Sequence, residues 1–280
     1  MSDPGFRSFI LNALAEDTGS GDHSSIASIT PSVTGRARLL VKESGIIAGL
    51  GIAREIFSIT DPSLETVLLL KDGNSVKQGD IALTVAGSVH SILRAERLVL
   101  NVMQRMSGIA TATATYVERV SGTRAHITDT RKTTPGMRAL EKEAVRLGGG
   151  VNHRMGLYDM IMLKDNHIDY AGGITAAVKR TQEYLIRQNL PLRIEVESRN
   201  LDEVREILAV GGVDRIMLDN FDIPSTRAAV ELIGGRAETE SSGGITLANV
   251  REYALCGVDY ISIGALTHHI KSLDMSLKAY

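Results

Sequence analysis

The chain lacks most of the features that mark secreted, membrane-bound or nucleic-acid-binding proteins. It has one cysteine, Cys256, among 280 residues. No intrachain disulfide can form, and the apolar neighbours of Cys256 predict a buried thiol without a catalytic role. No run of about 20 apolar residues is present, so we expect no membrane-spanning helix. The N-terminus lacks the pattern of a signal peptide. A net charge of −2 gives no reason to expect nucleic acid or a membrane surface as a partner. We therefore expect a cytoplasmic protein.

The second half of the chain alternates between short apolar segments and segments with helical periodicity. Such alternation predicts a parallel sheet with helices outside it. An eight-fold barrel needs about 250 residues, and roughly 165 are present between 104 and 268, so we expect an incomplete barrel of six or seven strands. The predicted strands are 125–128, 159–163, 193–196, 215–218, 237–240 and 260–263. The predicted helices are 137–147, 174–187, 201–210, 225–233 and 247–256.

The first hundred residues show a different pattern. Strand-like segments and turns mix with helical ones, which predicts an α+β sandwich domain over residues 1–103, joined by the C-terminal tail 269–280. The predicted strands are 37–41, 66–70 and 81–85, and the predicted helices are 11–16 and 52–59. A long helical pattern over 90–120 leads into the barrel domain, 104–268, and we expect a break in it near Ser107-Gly108. The predicted fold class is thus α/β, with a sandwich domain and an incomplete parallel βα-barrel.

Charged or hydroxyl side chains follow five of the six predicted barrel strands, and Gly264 follows the sixth. In a βα-barrel the carboxyl ends of the strands are where the chemistry is placed. Guanidinium and ammonium groups there suit a small, multiply charged anion, because arginine binds carboxylate or phosphate in bidentate fashion. A solvated basic surface is the simpler alternative, but the apolar segment 160–163 leads directly into Lys164, and a solvated face would alternate. The basic residues concerned are Arg131, Lys132, His153, Arg154 and Lys164.

Six motifs in this half carry a family resemblance. They are Asp129-Thr-Arg-Lys-Thr-Thr-Pro-Gly136, Gly148-Gly-Gly-Val-Asn-His-Arg-Met-Gly-Leu157, Lys164-Asp-Asn-His-Ile168, Glu195-Val-Glu197, Met217-Leu-Asp-Asn-Phe221 and Ser242-Gly-Gly-Ile245. Together they resemble the quinolinate phosphoribosyltransferase family, over nearly the whole chain. The resemblance implies transfer of a phosphoribosyl group from phosphoribosyl pyrophosphate to quinolinate, with Mg²⁺. The implied products are nicotinate mononucleotide, pyrophosphate and CO₂, formed in NAD biosynthesis.

The resemblance also implies which residues bind quinolinate, a dianion whose desolvated carboxylates need charged partners. His153 either contacts quinolinate or only orients Arg154. Arg97 is either a solvated surface arginine or, as the resemblance implies, reaches across a dimer interface into the partner's site. The minimum assembly is then a homodimer, and a hexamer is also compatible. The expected quinolinate ligands are Arg97, Thr130, Arg131, His153, Arg154 and Lys164.

Phosphoribosyl pyrophosphate needs backbone N–H groups for its phosphate and oxygen ligands for the metal that accompanies it. We expect Mg²⁺ to be held by Glu197 and Asp219, directly or through water. The same two carboxylates, with Lys132 and Lys164, are the expected catalytic residues, acting by charge because no nucleophile stands out. No role is predicted for His269. The expected phosphoribosyl pyrophosphate ligands are Lys132, Lys164, Glu197, Asp219, Ser242, Gly243, Gly244, Gly264 and His268.

Three other functions are compatible with parts of this pattern. A paralogous subfamily linked to molybdate uptake shares some motifs, but the intact Lys164-Asp-Asn-His167 segment favours the biosynthetic enzyme. A non-catalytic anion-binding protein gains nothing from Glu197 and Asp219 beside its ligand, and it releases no pyrophosphate. A Schiff-base enzyme using Lys164 is trapped by borohydride with a carbonyl substrate, and we expect no trapping here.

Overall fold

A computed structural model describes residues 4–280, and their contacts group them into two units. The first unit runs up to Ala114 and includes Thr134–Gly149 and His269–Tyr280. The second unit consists of Thr115–Thr133 and Gly150–His268. The segment Thr134–Gly149 thus belongs to the first unit, whereas the sequence predicted an uninterrupted barrel domain over 104–268.

Helices and strands alternate along most of the described chain. Up to Arg119 they are α1 (Pro4–Thr18), α2 (His23–Ser28), β1 (Thr34–Val41), β2 (Gly45–Ile46), α3 (Leu50–Thr60), β3 (Glu65–Leu68), β4 (Ser75–Val76), β5 (Ile81–Ser88) and α4 (Val89–Arg119). After Arg119 they are β6 (His126–Thr128), α5 (Arg138–Leu147), β7 (Ile161–Leu163), α6 (Asp165–Ala171), α7 (Ile174–Gln188), β8 (Ile194–Ser198), α8 (Leu201–Val210), β9 (Arg215–Asp219), α9 (Ile223–Ile233), β10 (Glu238–Ser242), α10 (Val250–Leu255), β11 (Tyr260–Ser262), α11 (Ala265–His268) and β12 (Met275–Ala279).

The first unit is built on a four-stranded antiparallel sheet, in the order β12-β1-β5-β3. Alternate residues of β1 are buried, so one face of this strand packs into the core. Leu39 lies opposite Leu277 of β12, which ties the C-terminal tail to the sheet. Helix α3 buries Ile56 and Phe57 completely. Each such side chain contributes about 1.5–3 kcal/mol through burial.

Helix α4 runs without interruption through Ser107 and Gly108, so the predicted break was wrong. Ser107 is buried, and its hydroxyl donates to the carbonyl oxygen of Ala48. A Cβ at Gly108 would fall within 2.3 Å of the carbonyl oxygen of Lys271, so glycine serves close packing there. Although α4 has 31 residues, no helix within residues 4–280 has both the length and the apolar character needed to cross a membrane.

The second unit is built on a six-stranded sheet in the order β6-β11-β10-β9-β8-β7, with every pair parallel. Strand β8 is buried along its whole length, as expected for a sheet covered by helices. Beyond β6 the pairing continues as a parallel bridge between Thr128 and Val151. Among the described residues no strand pairing joins that bridge to β7, so the sheet does not close into a ring. The predicted fold class, a sheet domain followed by an incomplete parallel barrel of six or seven strands, is confirmed with six strands.

Candidate active site

A cavity of about 840 Å³ lies in the second unit, where the parallel strands end. The chain continues beyond each strand into the residues that line it, so the topology gathers side chains far apart in sequence. Every predicted site residue except Arg97 lines this cavity. The predicted residues gathered here are Thr130, Arg131, Lys132, His153, Arg154, Lys164, Glu197, Asp219, Ser242, Gly243, Gly244, Gly264 and His268.

Two guanidinium groups give one part of the cavity its positive charge. Arg154 donates to the carbonyl oxygen of Met160 at 3.1 Å. Burial lowers the pKa of Arg154, and the positive charge of Arg131 lowers it further. The Nε of Arg131 is buried and has no acceptor within residues 4–280. A buried donor without a partner costs about 1–3 kcal/mol. An anion bound between the two arginines would supply that acceptor and offset their repulsion.

Two carboxylates lie in another part of the same cavity. Glu197 is on β8 and Asp219 ends β9, the neighbouring strand. Burial raises the pKa of the Glu197 carboxyl, and the charge of Asp219 raises it further. Lys164 opposes this effect, with its Nζ 3.7 Å from Glu197 Oε2. Asp219 accepts from the side-chain amide of Asn220 at 2.7 Å. The negative charges here are only partly compensated by protein groups.

A glycine turn follows β10. Gly243 and Gly244 have φ values of +91° and +61°, which favour glycine. A Cβ at Gly243 would lie 2.2 Å from Asn220 Oδ1. No acceptor among the described residues engages the backbone N–H groups of Gly243 or Gly244. Helix α10 begins only at Val250, so the predicted start at Leu247 was wrong; Asn249 Oδ1 instead accepts from the N–H of Thr246 at 2.7 Å. The N–H groups of Gly243 and Gly244 are therefore presented by the turn itself and not by the first turn of α10.

A second glycine brings two basic side chains together after β11. A Cβ at Gly264 would lie 2.8 Å from His268 Nε2 and 3.2 Å from Lys132 Cδ. The Thr267 hydroxyl donates to the carbonyl oxygen of Lys132 at 2.9 Å, which fixes the loop after β6 against α11. Because glycine has no side chain, His268 and Lys132 can both approach this corner of the cavity.

His153 lies at the edge of a buried cluster of charged residues. Its Nε2 is 3.0 Å from Glu195 Oε2 and 3.4 Å from Glu240 Oε2. Arg215 pairs with Glu240 at 2.9 Å and with Glu238 at 3.0 Å. We call His153, Glu195, Glu240 and Arg215 the buried cluster. Because Nε2 faces these carboxylates, this arrangement does not place Nε2 in contact with a ligand in the cavity.

Proton occupancy in the buried cluster depends on several groups. Burial lowers the pKa of His153, but Glu195 and Glu240 raise it more, to about 9. Burial raises the pKa of Glu195, whereas contacts with His153 and Arg215 outweigh burial at Glu240 and lower its pKa. His153 Nδ1 accepts from the N–H of Arg154 at 2.7 Å, which requires an unprotonated Nδ1. The net charge is the same whether the proton lies on His153 or on Glu195, so the pair holds one shared proton.

Two groups of residues in this unit have the donor atoms for a cation. Ligand atoms of His153, Glu195 and Glu240 lie within 4.8 Å of one another. The guanidinium of Arg215 already neutralises that group and would repel a metal ion. Glu197 and Asp219 offer oxygen ligands in the cavity, without an arginine paired to either carboxylate within residues 4–280. They are the better candidates for Mg²⁺, which prefers carboxylate oxygens and water.

Arg97 is on α4 and belongs to the first unit, whereas the other predicted residues belong to the second. It lines a polar pocket of about 620 Å³ that belongs to that unit, with Asp17, Asp22, His23 and Arg94. The side chain is exposed. No carboxylate in the described part of the chain forms an ion pair with it, so the simple reading of a solvated ion pair has no support.

The sequence did not single out several residues of the site. Asp165, Asn220, Thr246 and Ser262 also line the cavity. Asn220 has a φ of +56°, and its N–H donates to the carbonyl oxygen of Ser242 at 2.8 Å. Glu195, Glu240 and Arg215 of the buried cluster were not predicted as site residues either. Their signal was available, because ionisable residues inside the strands of a parallel sheet covered by helices require partners.

Comparisons with known proteins agree with one family along the chain. The model described as "Quinolinate phosphoribosyl transferase, C-terminal domain" matches residues 109–278. The model described as "Quinolinate phosphoribosyl transferase, N-terminal domain" matches residues 22–107. The two matches together cover most of the sequence.

Individual relatives give the same picture. The chloroplastic nicotinate-nucleotide pyrophosphorylase [carboxylating] of Arabidopsis thaliana is 48% identical, over 97% of this chain and 82% of its own. The probable nicotinate-nucleotide pyrophosphorylase [carboxylating] of Synechocystis is 46% identical, over 95% and 89%. The crystal structure of nicotinate-nucleotide pyrophosphorylase from Ehrlichia chaffeensis superposes with a TM-score of 0.92 at 36% identity, over the full length of both chains.

Proposed function

The chain belongs to the quinolinate phosphoribosyltransferase family, and we infer from this membership that it transfers a phosphoribosyl group to quinolinate. The donor is phosphoribosyl pyrophosphate. The products are nicotinate mononucleotide, pyrophosphate and CO₂, and the reaction is a pentosyl transfer in NAD biosynthesis. The observation that supports the cavity as the place of this reaction is its division into a cationic part, a carboxylate pair and a glycine turn with open N–H groups.

The cationic part of the cavity suits quinolinate. Its two adjacent carboxylates would provide acceptors for Arg131 Nε and for the Arg154 guanidinium, which otherwise repel each other in a half-buried setting. Lys164 and Thr130 line the same cavity and complete the proposed set. His153 contributes indirectly in this proposal, since its Nε2 faces Glu195 and its Nδ1 accepts from Arg154.

The glycine turn and the Gly264 corner suit the phosphates of the donor substrate. Backbone N–H groups of Gly243 and Gly244 lack acceptors in the described chain, and phosphate oxygens are strong acceptors. Ser242 and Gly264 line the cavity beside these turns. We assign the 5′-phosphate to this region. Lys132 and His268, which meet at Gly264, and Lys164 are assigned to the phosphate and pyrophosphate groups.

Glu197 and Asp219 fit Mg²⁺ by their chemistry. Burial and the neighbouring charge of Asp219 both raise the pKa of Glu197, and a divalent cation would relieve the repulsion between the two carboxylates. We propose that they hold the ion directly or through water. When bound, Mg²⁺ would neutralise charge on the pyrophosphate.

Electrostatic stabilisation is the proposed source of catalysis. The C1–oxygen bond to pyrophosphate breaks, and positive charge develops on the ribose. Glu197 and Asp219 stabilise this charge, as carboxylates do in glycoside hydrolysis. The quinolinate nitrogen then bonds to C1. When CO₂ leaves, the electron pair stays on C2 and is stabilised by the adjacent positive nitrogen of the pyridinium, and a proton from water then bonds to C2. Lys164 and the arginines hold the ring in place during these steps.

Assembly and location rest on indirect support. Arg97 is exposed and has no ion-pair partner in the described chain, which leaves it available to another copy. We propose a homodimer in which Arg97 reaches the partner's site, either alone or within a hexamer. We also propose a cytoplasmic location, although the Arabidopsis relative is chloroplastic by name.

Release of CO₂ and pyrophosphate tests the activity directly. The protein is incubated with quinolinate, phosphoribosyl pyrophosphate and Mg²⁺, and nicotinic acid replaces quinolinate in parallel. We expect equal amounts of both products from quinolinate and none from nicotinic acid, because the cationic part is suited to two carboxylates. If neither quinolinate nor nicotinic acid leads to pyrophosphate release, the assignment is overturned.

The role of Glu197 needs its own variant. We expect Glu197→Gln to lower kcat about a hundredfold, the usual loss when one charge-stabilising group is removed. Glu238→Gln, a glutamate outside the cavity, is the matched control. Near-normal turnover by Glu197→Gln would show that Glu197 does not stabilise the transition state.

A further inference from the structure

The buried cluster has no direct part in the proposed chemistry, yet two of its members, His153 and Glu240, line the cavity. Glu195 and Glu240 are fully buried, on β8 and β10, and Arg215 on β9 lies between these strands. Arg215 also stacks on Tyr260, with its Cζ 3.8 Å from the ring centroid. Burying this many charges inside a sheet costs free energy unless the charges are paired. We therefore expect the cluster to have a function that offsets this cost.

Contacts of His153 connect this cluster to the binding residues of the cavity. Nε2 faces Glu195 and Glu240, while Nδ1 accepts from the backbone N–H of Arg154. The backbone N–H of His153 itself donates to Asp129 Oδ1 at 3.0 Å. Asp129 is fully buried and lies two residues before Arg131. His153 thus contacts both segments that carry the cavity's guanidinium groups, the Arg154 segment through its ring and the Asp129 segment through its backbone N–H.

Charge balance makes a metal ion at this place unnecessary. Glu240 is neutralised by Arg215, and one proton is shared between His153 and Glu195. The cluster is therefore neutral without a cation, and the contacts of Glu195 and Glu240 with Nε2 act on the orientation of the His153 ring. A ring held in this way cannot turn without leaving a buried carboxylate unpaired, which costs several kcal/mol.

We propose that Glu240 and Glu195 are positioning residues that lock His153, and through it hold Arg154 and Arg131 at the spacing that two adjacent carboxylates require. This inference rests on the proposed function, because it takes the two arginines as the quinolinate ligands. The chemical class of ligand it serves is a planar dicarboxylate. Misplacement of a binding group by about 1 Å is enough to lower rates by orders of magnitude, so a rigid support matters.

Two glutamates that both pair with Arg215 provide a matched test. Glu240 touches His153, whereas Glu238 pairs only with arginines, Arg215 and Arg193. We expect Glu240→Gln to raise the KM for quinolinate on the order of tenfold, while the KM for phosphoribosyl pyrophosphate stays within about twofold. Glu238→Gln should change neither KM. A general loss of structure would raise both constants together, so the split distinguishes positioning from folding.

Further variants keep the test decisive. If Glu240→Gln does not fold, His153→Gln, whose amide reaches toward the carboxylates, is measured in the same way. Equal changes in the two KM values, or none in a folded variant, would overturn the proposal. So would a melting temperature that zinc raises in the wild type and not in Glu240→Gln, because it would mark a metal site.

Arg154→Lys separates this inference from the proposed function. If Arg154→Lys raises the KM for quinolinate and Glu240→Gln does not, only the positioning proposal fails. If Arg154→Lys leaves that KM unchanged, the assignment of Arg154 as a quinolinate ligand fails first.

Discussion

Arg131 and Arg215 are both arginines of the second unit, but the protein treats them differently. Arg215 has two carboxylate partners and an aromatic ring under its guanidinium. Arg131 has a buried Nε without an acceptor in the described chain and a second arginine nearby. The two arginines teach that the meaning of a buried charge depends on its partners. Where the protein supplies the partners, the charge stabilises the fold. Where it does not, the charge is available to pair with a ligand.

The largest effect should come from replacing Arg215, the arginine that has carboxylate partners. We expect Arg215→Met to lower the free energy of unfolding by about 4 kcal/mol, because it leaves Glu240 buried and uncompensated. Urea unfolding of the variant and the wild type measures the difference. Addition of Glu240→Gln to Arg215→Met should recover part of the loss, since it removes the orphaned charge. No recovery would indicate that packing against Tyr260, not charge, is what Arg215 contributes.

Arg131, which lacks such partners in the described chain, should show the opposite pattern, with a large effect on activity and a small effect on stability. We expect Arg131→Met to reduce kcat/KM for quinolinate about a thousandfold, as a desolvated carboxylate loses its charged partner. Unfolding in urea should change little, because no protein group pairs with Arg131 Nε. Steady-state kinetics and denaturation on one preparation test both statements. A loss of stability comparable with that of Arg215→Met would remove the distinction between the two arginines.

The buried cluster should also make stability depend on pH. The pKa of His153 is raised from 6.5 to about 9. Its contribution to the free energy of unfolding is therefore fully present below pH 6.5 and is lost as the pH rises through about 9. Because His153 and Glu195 share one proton, the raised pKa of Glu195 reflects retention of that same proton and adds no second contribution. From 1.36 kcal/mol for each pKa unit, the loss is on the order of 3 kcal/mol.

Urea unfolding at several pH values between 6 and 10 measures this slope. His153→Asn should flatten it, while His126→Asn, which replaces an exposed histidine, should not. An unchanged slope in His153→Asn would mean that other groups govern stability in this range.

Much of the site could be predicted because parallel strands bring their carboxyl ends to one edge. Arg131, Lys164 and Asp219 follow or end different strands, and strand position alone was enough to place them together. The buried cluster could not be placed this way, since pairing of Arg215 with Glu240 depends on which strands become neighbours. Gly108 was taken as a helix breaker, but whether a glycine breaks a helix or admits another segment depends on tertiary packing.

The glycine turn offers the smallest and most local test of the same contrast. Gly243 has a φ of +91°, and a Cβ there would meet Asn220 Oδ1 at 2.2 Å and the Asn220 N at 3.0 Å. We expect Gly243→Ala to raise the KM for phosphoribosyl pyrophosphate about tenfold, because backbone strain of about 1–3 kcal/mol would move the open N–H groups. The KM for quinolinate should stay near its wild-type value.

Gly235→Ala is the matched control, as Gly235 also has a positive φ, +77°, but a Cβ there would meet nothing within 4 Å. It carries the strain of the substitution without a clash and lies outside the cavity lining. If both variants raise the KM for phosphoribosyl pyrophosphate equally, the effect is general strain and the phosphate assignment loses its support. If only Gly243→Ala does, the open N–H groups bind the donor substrate, as the unpaired Arg131 is proposed to bind the acceptor.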